Sequence, residues 1–291
     1  MKANWIDKTH ARNVITANIV TQVQEKYNLF TEAPANGAID GFPVEVYANN
    51  EFLGIYTFNI PKDEWMFGMD SDNVNHIVVC GEGWTSANLF ADEPTFAAWS
   101  VEVGEENEET LDKLKKLFNF VINSTDEEFK NNFEQYMSLD AVMNYYILSD
   151  FAYLVDNCGK NMLLVTYDGV KWYPSLYDLD TSWGTDWQGR TIYDYMGSPV
   201  DLGGNNLFAR VEKNFEKELK NRYVELRKEI LTKEHIMEMF ETFELSIPQE
   251  IFEKEIERWG NDIPGYEISQ IEEYLDKIIP ALDKKYSAIM W

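Results

Sequence analysis

One ordered run restricts this chain more than any other feature: a helix apolar on most sides, a polar loop, a hairpin and a pair of acids. Ser138 precedes Leu139 to Leu154, whose apolar residues cover so much of the helix that it must be buried. That helix delivers the chain to Asp156-Asn157-Cys158-Gly159-Lys160-Asn161. Two strand-like runs follow, Met162 to Tyr167 and Lys171 to Tyr177, around Asp168-Gly169, a dipeptide that favours a type I′ hairpin turn. The return strand leads into Tyr177-Asp178-Leu179-Asp180-Thr181-Ser182-Trp183-Gly184. A hairpin runs out and back, so Asp178 is expected near the loop that the hairpin left. Asp178 and Asp180, alternating with Leu179, are expected on one face of an extended segment.

Hard oxygen donors from an amide and carboxylates suit Mg²⁺ or Mn²⁺, which share their coordination with water and phosphate oxygens. Phosphoryl transfer needs that arrangement, with one carboxylate left over to orient or deprotonate the acceptor hydroxyl. On this reading Asp156 is the base, and an amide of the loop with one or both of Asp178 and Asp180 would hold the metal. Four residues separate Asp156 from Asn161, as in the catalytic loop of protein kinases. Each piece alone has a plainer reading, as turn-forming residues or a calcium loop. Their order favours a metal-nucleotide site. Lys2, Arg12 and Lys160 are cations that can balance phosphate charge, or ordinary surface cations.

Acidic residues outnumber basic ones 51 to 25, a formal charge of −26 in 291 residues. A phosphate backbone is repelled by such a surface, so nucleic acid is not an expected partner; the charge reads first as solubility alone, and any protein substrate is expected to be basic rather than acidic. Hydrophobic residues make up 45% of the chain, enough for a substantial core. Cys80 and Cys158 are the only cysteines and are expected as free thiols, Cys158 as a small filler. No run of about 18 apolar residues suggests a membrane span, and the first residues lack the apolar stretch of a signal peptide.

Elsewhere, Ala11, Val14, Ile15, Ile19, Val20 and Val23 recur with helical spacing and predict an amphipathic helix. Phe42 to Tyr47 and Phe52 to Phe58 predict a β-hairpin around Asn49-Asn50, ended by Ile60-Pro61-Lys62. Residues from Asp63 to Gly104 read as irregular, with one strand-like run at His76 to Cys80. The acidic run from Glu105 reads as a solvated helix start, and Ser124-Thr125-Asp126-Glu127-Glu128 as the cap of the next helix. Beyond Gly204 the chain is helical, with Pro248, Pro264 and Pro280 as punctuation. His10 has no second histidine at zinc-ligand spacing and is expected to pack on its own helix turn; Trp183 is expected beneath the metal loop.

These segments together resemble the spore-coat protein H (CotH) family of atypical protein kinases. The matching text is Lys2-Ala3-Asn4, Asp7-Lys8-Thr9-His10-Ala11-Arg12-Asn13 opening a helix, and the hairpin at Asn49-Asn50-Glu51-Phe52-Leu53-Gly54-Ile55-Tyr56. It continues with Asp156 to Asn161, Tyr177 to Gly184 and the helix Arg222-Tyr223-Val224-Glu225-Leu226-Arg227. The resemblance implies an α+β, protein-kinase-like fold. Residues 1–62 would be a partial N-terminal lobe of helix plus hairpin, and 63–291 a larger, mainly helical lobe carrying the site. It implies ATP with Mg²⁺ or Mn²⁺ as cofactors and phosphorylation of serine in a protein substrate, basic and Ser-rich. Asp156 would be the catalytic aspartate, Asn161 and Asp178 metal ligands, Asp180 the family's second acid, and Ile60 with Lys62 neighbours of the adenine at the hinge. Strands that cover the phosphates normally precede the Lys-Ala-Asn segment, so the small lobe is expected to be truncated here. A spore-surface or extracytoplasmic location follows from the resemblance alone. The alternatives are a catalytically inactive coat or surface protein on the same fold, and a small-molecule phosphotransferase or calcium-binding module.

Overall fold

Apolar residues at helical spacing form α1 (Arg12–Lys26) where they were expected. The helix is not amphipathic in its surroundings, however: Arg12, Asn13, Thr16 and Gln24 are buried together with Val14, Ile15, Ile19, Val20 and Val23. A helix enclosed on nearly every side needs its polar side chains hydrogen-bonded. That need builds part of the site described below. The structure, a computed structural model, describes residues 1–192, 199–260 and 267–287.

β1 (Gly41–Ala48) and β2 (Glu51–Asn59) pair antiparallel as the first hairpin. Asn49 and Asn50 turn the corner with φ of 50° and 65°, the left-handed conformation that a type I′ turn requires and that asparagine tolerates. Pro43 lies opposite Thr57 and has no N–H to offer, so the backbone groups of Thr57 face the other way. Lys2 takes them. Its N–H donates to Thr57 O at 2.9 Å, and Thr57 N–H donates to Lys2 O at 2.8 Å.

The second sheet contains β3 (Ile77–Gly81), β4 (Trp99–Val103), β5 (Met162–Thr166) and β6 (Trp172–Leu176), in the order β4-β3-β5-β6 and antiparallel throughout. β4 corrects the reading of residues 63–104 as irregular apart from one strand. Its sequence, Trp-Ser-Val-Glu-Val, is short and only weakly alternating, and it becomes a strand because the edge of β3 offers it a ladder. The β5–β6 hairpin forms as expected, but its turn is not type I′. Pairing stops at Thr166 and Trp172, and of the central dipeptide only Gly169 has a positive φ, 72°. Asp168 instead accepts the N–H groups of Val170 and Lys171, each at 2.8 Å, and so organises a longer loop.

The helices are α2 (Glu108–Asn123), α3 (Asp126–Tyr136), α4 (Leu139–Phe151), α5 (Pro199–Leu202), α6 (Asn206–Leu226), α7 (Lys233–Ser246), α8 (Gln249–Trp259) and α9 (Ile268–Ser287). Asn107 caps α2, Ser138 caps α4, and Thr125 with Glu128 forms a reciprocal capping box on α3. Pro248 stands at the N-cap of α8. Pro280 does not punctuate: it lies inside α9, which continues because Ile278 and Leu282 on either side of it are buried. Pro264 lies outside the described residues. Every residue of α4 from Ala141 to Phe151 is buried, and the helix packs on α1, β6, α6 and α9. Such enclosure fixes the point from which the chain leaves for Asp156.

Candidate functional site

The site rests on a buried clamp built by the segment that opens α1. Asp7 accepts hydrogen bonds from Thr9 N–H at 3.1 Å, Thr9 Oγ1 at 2.7 Å and Arg12 N–H at 2.8 Å. The Arg12 guanidinium is ion-paired with Asp7, and both side chains are fully buried. Its remaining donors reach across the molecule, Nε to Ser182 O at 3.2 Å and a terminal nitrogen to Gln270 Oε1 at 2.5 Å. Arg12 is therefore not a cation available to phosphate, as the sequence allowed. It is sealed in, and it holds the segment after Asp180. Asn13 Oδ1 accepts Leu179 N–H at 2.8 Å, and Thr16 Oγ1 accepts the Trp183 indole N–H at 2.8 Å. Trp183 N–H also donates to Ala152 O at 2.8 Å, which ties this segment to the end of α4, and its ring packs edge-on against Phe151 and Phe240.

Held in this way, Asp178 and Asp180 project to the same place. Lys2 ion-pairs with Asp178 and lies 3.0 Å from Asp180 Oδ2, while Leu179 between them is fully buried. The shared face was expected from alternation along an extended segment, but the backbone differs: Asp178 has φ of 57° and lies past the end of β6. Asn161 and Trp183 are also left-handed, with φ of 59° and 53°. Non-glycine residues in that region are uncommon and concentrate at functional sites.

The loop of Asp156 to Asn161 starts as a 3-10 turn at Asp156–Cys158 and is bound at both ends. Asn157 Nδ2 donates to Tyr177 O at 2.7 Å, and Asn161 N–H donates to Gly81 O at 2.8 Å. Gly81 permits the close approach, because a Cβ there would stand 2.2 Å from Gly159 O. Asn157, which the sequence reading did not single out, thus joins the loop to the residue before Asp178. Its own amide oxygen is buried without a hydrogen-bond partner among the described residues. Burial pushes the Asp156 carboxyl above its ordinary range, the Lys160 charge opposes that, and the charges of Asp180 and Asp186 reinforce it. Asp186, also missed in the sequence, is held by Arg190, whose Nε donates to it at 2.7 Å.

Of the residues expected to hold cofactors, Lys2, Asp178 and Asp180 are in contact, Asp156 feels the charges of Lys160 and Asp180, and Asn161 is placed by its N–H on Gly81 O. Lys62 belongs to an adjoining cluster, while Ile60 is held at the end of the first hairpin. Ile60 N–H donates to Asp40 O at 2.9 Å; Lys62 pairs with Glu102 at 2.7 Å and stands 5.1 Å from the centroid of the Tyr177 ring. Burial acts to lower the Lys62 ammonium, but Glu102 and Cys80 outweigh it and hold it raised. Burial pushes the Cys80 thiol up to about 11. Cys80, Glu82 and Glu102 are the one group of three such ligand atoms within 4.8 Å of one another among the described residues, and Lys62 already serves them as counter-ion. Cys158 is buried and in no disulfide, as expected. His10 is buried too, but against Phe252 and Glu255 of α8 rather than on its own helix turn.

The donor set fits a hard divalent cation. Asp178 and Asp180 offer carboxylate oxygens on one side of the chain, and they already draw an ammonium between them. Asp178 keeps 37% of its side-chain surface exposed and Asp180 16%, so neither is sealed from an incoming ion.

The fold and site together define an α+β protein of two antiparallel sheets and a large helical body, with carboxylates from separate segments gathered at loop ends. A family model described as CotH kinase protein matches residues 1–284, nearly the whole chain, and the chain belongs to that family. No curated protein matches it. Among the described residues no helix is long and apolar enough to cross a membrane.

Proposed function

We propose that this chain is a metal-dependent phosphotransferase that moves the γ-phosphoryl group of ATP to a serine hydroxyl of a basic protein substrate. The observation that supports this most is the meeting of the Asp156 loop with the Asp178–Asp180 pair, joined through the bond from Asn157 to Tyr177. A Mg²⁺ or Mn²⁺ ion held by Asn161, Asp178 and Asp180 would neutralise triphosphate charge and orient the transferring group. Asp156 accepts the proton of the acceptor hydroxyl, and its raised carboxyl makes it a stronger base than an exposed aspartate. The Lys160 charge opposes that rise. Lys2, released from the two acids, carries a positive charge that suits a phosphate oxygen.

The test is transfer of labelled phosphate from ATP with Mn²⁺ to a basic, Ser-rich polypeptide. Asp156→Ala and Asp178→Ala are each expected to lower the rate by roughly a thousandfold or more while thermal unfolding shows an intact fold. Transfer that survives both substitutions overturns the assignment.

A second reading, a catalytically silent coat or surface protein, draws on the bridging of both acids by Lys2. Thermal shift separates the two: ATP with Mn²⁺ raises the unfolding temperature on the first reading and leaves it unchanged on the second.

A further inference from the structure

On the other side of the Lys2-Ala3-Asn4 segment, a cavity of about 250 Å³ opens between the first hairpin and α8. Asn4, Trp5, His10, Tyr56, Glu255 and Trp259 line it. Its buried polar atoms are unusually short of partners. Asn4 and His10 are each 1% exposed, yet Asn4 Oδ1 and both ring nitrogens of His10 have no hydrogen-bond partner among the described residues. Glu255 spends Oε2 on the Ile55 N–H at 2.8 Å, and its Oε1 lies 3.5 Å from His10 Nε2 without forming a hydrogen bond. Groups of this kind are costly to bury unless something satisfies them.

The unmet demand has a definite chemical character. Asn4 Oδ1 calls for a donor, the imidazole faces Glu255 Oε1 across 3.5 Å, and the Glu255 carboxylate draws positive charge. The rim is aromatic and reachable from solvent, with Trp5 61% and Trp259 38% exposed. Indole faces attract cations. Trp259 already holds the chain's own Arg258, whose guanidinium carbon is 5.1 Å from its ring centroid. Water could satisfy the polar atoms but would gain nothing from the indoles. A lysine ammonium is a compact, strongly hydrated point charge, whereas a guanidinium is flat, weakly hydrated and carries five N–H donors.

The geometry points to an arginine-binding pocket, in which the guanidinium of an arginine on a polypeptide partner lies against Trp5 and Trp259 and donates to Asn4 Oδ1 and Glu255 Oε1. The chain's net charge of −26 favours such a basic partner. This pocket does not depend on the chemistry at Asp156.

The experiment is titration of the full chain with a capped Gly-Arg-Gly tripeptide, followed by tryptophan fluorescence and calorimetry, with capped Gly-Lys-Gly and Gly-Gln-Gly as comparisons. The arginine peptide should bind saturably and about tenfold more tightly than the lysine peptide. Trp5→Ala removes an exposed side chain and should weaken binding by about tenfold with unfolding unchanged. Glu255→Gln keeps an oxygen for Ile55 N–H, removes the charge, and should weaken binding at least as much. Asp156→Ala should leave binding unchanged, which separates this pocket from the phosphotransfer reading. A response to arginine no greater than to lysine or glutamine, or one unaffected by both pocket variants, overturns the proposal.

Discussion

Two acid–base clusters lie a few residues apart in this molecule and differ in kind. In the clamp, Asp7 and Arg12 are wholly buried, and the guanidinium is also bonded to Ser182 and Gln270. At the candidate site, one ammonium, Lys2, is shared by Asp178 and Asp180, all three are partly exposed, and Asp156 adds a carboxylate held protonated more readily than usual. The clamp is saturated and closed to exchange, so it can only be architecture. The site is short of positive charge and open, so it can trade Lys2 for a stronger cation. Charge alone does not separate the two roles; satisfaction and access do.

The sharpest break of that comparison is Arg12→Met. It leaves Asp7 buried with its ion partner gone and should cost about 3 to 5 kcal/mol in denaturant unfolding. If the loss is no larger than that of an exposed ion pair, the clamp is not what holds the Asp178–Trp183 segment. Lys2→Met should change stability by less than about 1 kcal/mol, because partly exposed pairs contribute little. The same variant should bind Mn²⁺ more tightly and show a larger metal-induced rise in unfolding temperature, since the competing ammonium is gone. A smaller rise would mean that Lys2 supports the cation site instead of competing for it.

The smallest effect concerns Asp156 in metal-free buffer. Its folded carboxyl is raised above the ordinary 3.8, so the folded state holds its proton longer than the unfolded chain. Stability therefore falls as pH rises from the ordinary value through the raised one, and the full penalty is present above both. Asp156→Asn should be slightly more stable than the natural sequence at neutral pH, and the advantage should vanish on acidification below pH 3.8. An advantage independent of pH would trace the effect to something other than ionisation.

Much of the architecture was legible because its causes are local. Helical spacing located α1, the acidic run from Glu105 marked the start of α2, an apolar run located α4, side chains three residues apart capped α3, and Asn49-Asn50 announced the first turn. The ordered run from α4 through the second hairpin to Asp178 was also legible, as was the meeting of its two ends. β4 was not, because Trp99–Val103 is too short and mixed to declare itself without β3 beside it. The longer turn at Asp168 escaped for a related reason: Asp-Gly suits a type I′ turn, but hydrogen bonds from Val170 and Lys171 to Asp168 select another. Arg12 looked like any other cation, since nothing near it in sequence announces Ser182 or Gln270. Asn157 and Asp186 gave no signal of their own. Their importance comes from Tyr177 and Asp156, which reach them only in the folded chain.

By itself, then, the order of residues determined which segments become helices and hairpins and which oxygen-bearing side chains could meet, because spacing along the chain sets those outcomes over a few residues. Tertiary structure alone decided which charges are sealed and which stay exchangeable. A guanidinium bonded to a partner 258 residues away and an ammonium paired with an acid 176 residues away are alike in sequence. Burial and the number of partners are properties of the whole packed molecule, and they set what each charge can do.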